Sequence, residues 1–521
     1  MTNIAIIGGG ISGMVASINI KNKLKDSNVY LIEKEDHLGG RLYQEKHKSY
    51  TINNGPSWYW MDDIISNVFN DLNITKSYNL MKPKNQYKIV FDDNSEIDVP
   101  NDANELRNII KKLDPTCLSK YDDFMESNKL KYELCKSKFL YYNHLSITEY
   151  ISLKLPYYLY ILDVFSSYKT IINSISPHPK VRTILEWPSY FIGSNPSNIS
   201  GLFTFLTYSM IKHGTSIPSK NGMIELIHTL ENKIDTLGII VLKNHNLLGV
   251  NVDKNTITSI KLNTKEINID KIIAACDYHF MESLLPTNLI SYPKLYWDNL
   301  SFCPSALIFN IILNVKLPNI LFHNLFFNGS GTIDDQINNS ILCDNPFFYI
   351  NVTSKFFSDV PESHENLFIL IPTKIGIKID EIKIKTIFNN IISRLSNHSS
   401  IQLKKHIVAS KNYNGKNFKQ QFNAYGGNAY GLGLDGLQIG FMRPKIKSHK
   451  ITNLYYCGQI TNPGPGIPPC MISGLLTSNL LIDDLTKKYC WWKLEEFWIY
   501  ITHLISLLFT TKSFKCVWDY L

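Results

Sequence analysis

Apolar positions fall into two rhythms along the chain. Short unbroken apolar runs, closed by glycine, asparagine or acidic residues, predict buried strands at 4–7, 29–32, 239–242, 247–252, 257–262 and 271–275. Longer strands are predicted at 305–315, 347–352 and 367–371, and another at 453–459 ends in glycine. A hairpin is predicted from 87–91 and 96–99, turning at Asp92-Asp93-Asn94. Helical stretches are predicted at 14–25, 62–72 and 224–237, and one opens from the Pro/Gly-rich stretch 461–474 and runs to about 484. From 103 to about 209 the pattern is mostly helical and increasingly apolar. Within it, 151–175 holds many Leu, Tyr, Ile and Phe residues and little charge. Such a stretch suits a buried core, the wall of an apolar tunnel or a surface resting on lipid.

The first forty residues carry the clearest chemistry. A strand is followed at once by Gly8-Gly9-Gly10-Ile11-Ser12-Gly13, then a helix, then a second strand that ends at Glu33. Gly8, Gly10 and Gly13 have the G-x-G-x-x-G spacing of a dinucleotide-binding βαβ unit. Gly8 permits the sharp turn, Gly10 lets backbone approach a pyrophosphate, and Gly13 lets the helix lie close to the sheet. The helix start, at Ile11 and Ser12, presents unpaired N–H groups and a positive dipole end to the phosphates. Glu33 lies twenty residues beyond Gly13, where a carboxylate accepts ribose hydroxyls and disfavours a 2′-phosphate.

The following residues distinguish FAD from NAD. Leu38-Gly39-Gly40-Arg41 resembles the extended FAD signature of the amine oxidase and carotenoid desaturase superfamily. Gly55-Pro56-Ser57-Trp58-Tyr59-Trp60 resembles the turn that passes the flavin in phytoene desaturases, in the version found in carotenoid-making Bacteroidetes. The family usually has an acid two residues before this Gly-Pro, where this chain has Asn53, an amide that still donates and accepts. The segment 185–196 resembles the desaturase substrate domain. Ile217-Pro218-Ser219-Lys220-Asn221-Gly222-Met223 resembles the family's Pro-x-Gly-Gly-Met turn, with Asn221 expected to take the positive φ of the missing glycine. The run 424–432 and Phe441-Met442-Arg443-Pro444 resemble motifs near the end of the substrate domain.

The stretch 461–474, Thr-Asn-Pro-Gly-Pro-Gly-Ile-Pro-Pro-Cys-Met-Ile-Ser-Gly, resembles the desaturases' C-terminal signature, departing from its commoner version at Gln459, Ile460, Asn462 and Pro465. Prolines suit a helix start, and a helix N-terminus aimed at the flavin ring would stabilise its anionic reduced form.

The resemblance covers nearly residues 1–485. It implies an α/β fold in which a Rossmann-like FAD-binding domain (1–75, 214–290 and 450–485) is interleaved with an α+β substrate domain (76–213 and 291–449). It implies FAD contacts at Gly8, Gly10, Ile11, Ser12, Gly13, Glu33, Gly40, Arg41, Gly55, Pro56, Leu247, Gly458 and Met471. The implied activity is FAD-dependent desaturation of phytoene towards lycopene, with quinone or oxygen as terminal electron acceptor. Carotenoid isomerases, diapophytoene desaturases, retinol saturases and amine oxidases share the fold. So do the flavin-free Rab escort and GDP-dissociation inhibitor proteins, which bind prenylated partners. No general base stands out; Glu186 and His279 are candidates whose commoner role is structural.

Composition changes the picture little. The 521 residues are 44% hydrophobic and 19% charged, which is ordinary globular composition. The net charge of +8 comes without an arginine-rich block or RNA-binding motif, which argues against nucleic acid. Nine scattered cysteines with no C-x-x-C argue against a disulfide framework or a metal site and fit a reducing compartment. With a strand beginning at residue 4, no signal peptide is expected. The tail (486–521) contains an uncharged run at 497–511 flanked by Lys487, Lys488, Lys512 and Lys515. That run is shorter than the ~20 residues of a spanning helix. It is expected to lie in the cytoplasmic face of a membrane as a peripheral anchor, or else to dock on the protein.

Overall fold

The computed structural model describes residues 1–47, 50–151, 154–327, 333–339, 341–436 and 438–486. The expected tail helix lies outside the described residues.

The molecule is built on a five-stranded parallel sheet. Asn3–Ile7 is its central strand, between Asn28–Ile32 and Lys271–Ala274, with Ile240–Leu242 and Leu454–Tyr456 at the edges. The three short strands Asn3–Ile7, Lys271–Ala274 and Leu454–Tyr456 are almost wholly buried, because both faces of the sheet are covered. Helix Ile11–Lys23 covers one face and is buried continuously from Ser12 to Ile20. Helix Ile467–Thr486 packs on its outer side, and Gly474 permits the approach: a Cβ there would stand 2.3 Å from the Ser12 carbonyl oxygen. The opposite face carries an antiparallel three-stranded sheet, Leu247–Asp253, Thr256–Leu262 and Glu266–Asn268. Its Leu247, Ile257 and Ile260 share a core with Ala5 and Ile7.

A second sheet has seven strands in the order Ile407–Tyr413, Ser305–Leu313, Glu365–Thr373, Phe348–Val352, His323–Phe326, Asn85–Val90 and Glu96–Pro100. All neighbours are antiparallel except His323–Phe326 with Asn85–Val90. Alternation along Ser305–Leu313 divides its two faces. Leu307, Phe309 and Ile311 pack under helix Glu381–Ser399, while Ala306 and Ile308 face the helices of 103–213.

The predicted elements are present to within a few residues, and the chain is an α/β protein. Two local expectations change. The apolar stretch 151–175 divides in two. Tyr168, Ile172 and Ile175 enter the core, whereas helix Leu155–Ile161 contributes no buried residue and Tyr157, Tyr160 and Phe165 stand outward. At the turn before helix Glu225–Thr236, Asn221 has φ −121°, and Lys220 and Gly222 take the positive φ values, +70° and +79°. Asn221 is held otherwise. Its Nδ2 donates to Glu225 Oε1 at 2.6 Å, and its carbonyl accepts from Gln44 Nε2 at 3.2 Å.

Candidate functional site: a dinucleotide cradle joined to an apolar arm

The three fingerprint glycines occupy three different surroundings. Gly8 has φ +110°, and a Cβ would lie 2.9 Å from the Ala275 carbonyl at the end of the neighbouring strand. A Cβ on Gly13 would lie 2.1 Å from the Gly8 carbonyl oxygen, so only glycine lets the helix begin here. Gly10 is extended, and its Cβ would meet nothing within 4 Å. It opens onto a cavity, above a helix whose N-terminus has no side-chain cap. The first-turn N–H groups are therefore free to meet an anion.

Glu33 stands buried at the end of the second strand. Its Oε2 accepts from the Gly9 N–H at 2.7 Å, and its Oε1 from the Glu35 N–H at 3.0 Å. Gly39 bridges to Gly10 and brings Arg41 to the cavity wall. The Arg41 guanidinium lies 4.9 Å over the Phe422 ring. With the Gln459 amide turned so that its oxygen faces Arg41, that oxygen accepts from Nη1 at 3.2 Å and Nη2 at 3.1 Å. Nε is buried without a partner, and no carboxylate pairs with Arg41 among the described residues. Burial lowers the Arg41 pKa from its ordinary value.

One cavity of about 420 Å³ joins these groups. Gly8, Gly10, Ile11, Ser12, Glu33, Gly40, Arg41, Gly55, Pro56, Leu247 and Gly458 all line it. Gly13 and Met471 do not. Gly13 sits behind the turn, and the Met471 side chain is fully buried in the core with Val15 and Ile472. Neither candidate base lines the cavity. Glu186 is on helix Pro179–Phe191, whose Trp187, Pro188, Tyr190 and Phe191 are the residues that do. His279 lies against Tyr425 and Trp297.

The second anchor closes the cradle from the far side. After strand Leu454–Tyr456, the Gly458 N–H donates to Ser473 Oγ at 2.9 Å, and Pro465 to Cys470 line the cavity at the start of helix Ile467–Thr486. Arg443, 1% exposed, donates to the carbonyls of Leu432, Gly433, Gln438, Gln459 and Thr461. It thereby ties the loop at 432–438 to the segment that follows the last strand. Asn53 donates to Asp359 Oδ2 at 3.3 Å, so a carboxylate stands beside the position where the family usually carries its acid.

Sequence reasoning missed several groups. Asp277 lines the cavity, caps helix Tyr278–Ser283 through the Phe280 N–H at 3.1 Å, and is pushed up by burial. An aspartate just before a helix was a readable signal. Tyr349 and His323 gave none, since both lie in strands buried at every position.

Beyond Gly55 and Pro56 the cavity continues as an apolar arm. Trp58, Trp60, Trp187, Phe191, Phe347 and Phe368 line it, drawn from the flavin-side turn, the helices of 103–213 and the seven-stranded sheet. Charged residues line only the cradle end.

The cradle fits a dinucleotide. It offers open space over Gly10, an uncapped helix end, and an Arg41 Nε with no protein partner. Together with the parallel sheet, this defines a dinucleotide-binding α/β protein. The profile of the flavin containing amine oxidoreductases matches residues 11–482, and the chain belongs to that family. Among its relatives is a carotenoid 3,4-desaturase of Haloarcula japonica, 26% identical over 494 residues, covering 93% of this chain and 98% of that protein. A 4,4'-diapophytoene desaturase (4,4'-diaponeurosporene-forming) of Staphylococcus aureus is 25% identical over 511 residues, covering 93% and 99%. The fold is shared with putrescine oxidase bound to putrescine, at a TM-score of 0.59 and 11% identity over 93% of this chain and 99% of that one. FAD, when bound, supplies two-electron oxidation by accepting hydride. Among the described residues no cluster of His, Cys, Asp or Glu is placed to hold a metal ion, and no helix is long and apolar enough to cross a membrane.

Proposed function

We propose that this protein is a carotenoid desaturase that introduces conjugated double bonds into phytoene, towards lycopene. The observation that carries this reading is the continuity of one cavity from the dinucleotide cradle into an uncharged arm walled by aromatic and aliphatic side chains. A long hydrocarbon offers no polar handle, so it must be held by shape and apolar contact. The two desaturase relatives support the same class.

In this reading Gly8, Gly10, Ile11, Ser12, Glu33, Gly40, Arg41, Gly55, Pro56, Leu247 and Gly458 hold FAD, with Gly13 acting through helix placement and Met471 only through its backbone. Arg41 and the helix start at Ile11 neutralise the phosphates, and Glu33 holds the ribose. The FAD-binding part comprises 1–75, 214–290 and 450–485, and the substrate part 76–213 and 291–449. The polyene arrives from the cytoplasmic face of a membrane, and outward-facing Ile151, Tyr157, Tyr160 and Phe165 support peripheral docking there. Quinone or oxygen reoxidises the flavin.

A second reading is favoured by the Haloarcula relative, whose name places its chemistry at the 3,4 position: terminal desaturation of a carotenoid that is already conjugated. Expression in cells making only phytoene, and separately only lycopene, distinguishes the two. Red lycopene-like absorption in the first cells is the expected result. Untouched phytoene with a red-shifted spectrum in the lycopene cells would carry the second reading. Bound FAD with both pigments unchanged would overturn both.

A further inference from the structure

Desaturation removes two hydrogens from neighbouring carbons. The hydride leaves for the flavin, and the proton on the adjacent carbon needs a lone pair at the cavity wall. The apolar arm has few groups that can take it. The indole N–H groups of Trp60 and Trp187 have no partner, but an indole only donates. Ser209 lines the arm, and its hydroxyl has no partner and leads nowhere.

Ser57 differs. It lies in the chain between the cradle residues Gly55 and Pro56 and the arm residue Trp58, and it lines the cavity. Its Oγ lies 2.6 Å from the Tyr349 hydroxyl, which lies 2.6 Å from His323 Nδ1. Asn351 Nδ2, which donates to the Phe322 carbonyl at 2.9 Å, also approaches Nδ1 at 3.4 Å, while Nε2 is buried without a partner. A relay ending at Nδ1 requires the tautomer in which Nδ1 accepts and Nε2 carries the hydrogen. The imidazole is buried and lies flat on Trp58, with ring centroids 3.8 Å apart and planes 7° apart. A transient imidazolium resting there would be attracted to the indole face. Burial holds His323 well below the usual histidine range, so it is neutral at rest.

We propose that Ser57, Tyr349 and His323 form a proton relay that receives the proton released from the substrate carbon next to the one that loses hydride. This inference rests on the desaturase reading. In the step, a C–H bond breaks and its electron pair becomes the new C=C bond as hydride leaves the neighbouring carbon for FAD. The proton joins Ser57 Oγ, the Ser57 hydrogen passes to Tyr349, and the Tyr349 hydrogen passes to His323 Nδ1. The proton returns to solvent along the same chain after product leaves. Ser57 meets the substrate, and His323 acts through Tyr349.

The experiment compares anaerobic single-turnover desaturation in wild type, Tyr349→Phe, His323→Asn and Tyr168→Phe, using phytoene in detergent micelles, both unlabelled and deuterated at the carbon that loses the proton. Tyr168→Phe is the control, because Tyr168 is a buried phenol outside the cavity whose hydroxyl donates to the Leu185 carbonyl at 3.0 Å. Tyr349→Phe and His323→Asn are expected to slow turnover roughly 100-fold or more. Phytoene affinity should stay unchanged and the isotope effect at the proton-losing carbon should rise. His323→Asn keeps an acceptor for the Tyr349 hydroxyl but cannot take a proton, so wild-type turnover in that variant overturns the relay. So does a raised isotope effect in Tyr168→Phe instead of Tyr349→Phe. Nitrogen-15 spectra of the ligand-free protein test the chain independently of turnover. Nδ1 of His323 should be unprotonated, and a proton found on Nδ1 at neutral pH overturns the relay. If wild type desaturates no polyene, the functional reading fails, and the spectra still decide the hydrogen-bond chain.

Discussion

Arg443 lends itself to a quantitative test, because its whole role is visible in its hydrogen bonds. It is buried without a carboxylate, and burial pulls its pKa down to about 10. Its Nε donates to the Thr461 carbonyl at 3.2 Å, Nη1 to Gly433 at 2.8 Å and Gln438 at 2.9 Å, and Nη2 to Leu432 at 3.2 Å and Gln459 at 3.1 Å. Every N–H of the fork is used. In Arg443→Met the aliphatic volume is kept and the donors are lost. The Gly433 carbonyl retains the Gln438 side chain at 3.2 Å, which leaves four carbonyls without a donor. At ~1 kcal/mol each, the low end for an unsatisfied buried group, the destabilisation is ~4 kcal/mol. An unfolding entropy of ~2.1 cal/mol/K per residue, spread over 521 residues, converts this to a Tm lower by ~4 °C. Arg443→Lys, with three donors, should fall between wild type and Arg443→Met. FAD affinity should fall along with stability, since the freed segment leads into the helix start that closes the cradle. Differential scanning fluorimetry and flavin fluorescence titration measure the two effects. A Tm change below ~1 °C in Arg443→Met would refute the reasoning that these carbonyls depend on the guanidinium.

Two further tests separate fold from site and follow pH. Gly10→Ala adds a methyl to open space in an extended backbone, so stability should change by no more than ~0.5 kcal/mol while FAD affinity drops. Gly13→Ala drives a methyl against the Gly8 carbonyl and should cost ~3 kcal/mol. Thermal melting and flavin titration of the pair check this, and equal stability of the two variants would contradict it. Burial pushes the Glu282 carboxyl up to about 7, although the N–H groups of Ser291 and Tyr292 hold its anion at 2.9 and 3.2 Å. The native state therefore keeps a proton that the unfolded chain has already released. The stabilising contribution is complete below about 4.5 and is lost as pH rises through about 7, in total ~3 kcal/mol. Urea unfolding between pH 5 and 8 should show this decline, and Glu282→Gln should flatten it; an unchanged slope in that variant would rule Glu282 out as its source.

The chain's own pattern determined the local parts of this protein. The strand–turn–helix–strand order of residues 3–33 was legible because each step is a local preference. An apolar run buries on both faces, glycine turns sharply, and an acid ends the second strand. The same holds for Gly39-Gly40-Arg41 and for the Pro468-Pro469 start of the last helix. Three matters were settled only by tertiary structure. Which part of 151–175 turns outward depended on what lay beneath each helix, and composition alone left three alternatives open. Which residue took the positive φ near Asn221 depended on Gln44 and Glu225, one of them distant in sequence. The chain from Ser57 to Tyr349 to His323 draws on three segments spread over almost 300 residues. Periodicity reports how each residue faces its own strand. It carries no information about which side chain of another strand will come within 2.6 Å, because sheet order and register fix that, and both emerge only when distant segments pair.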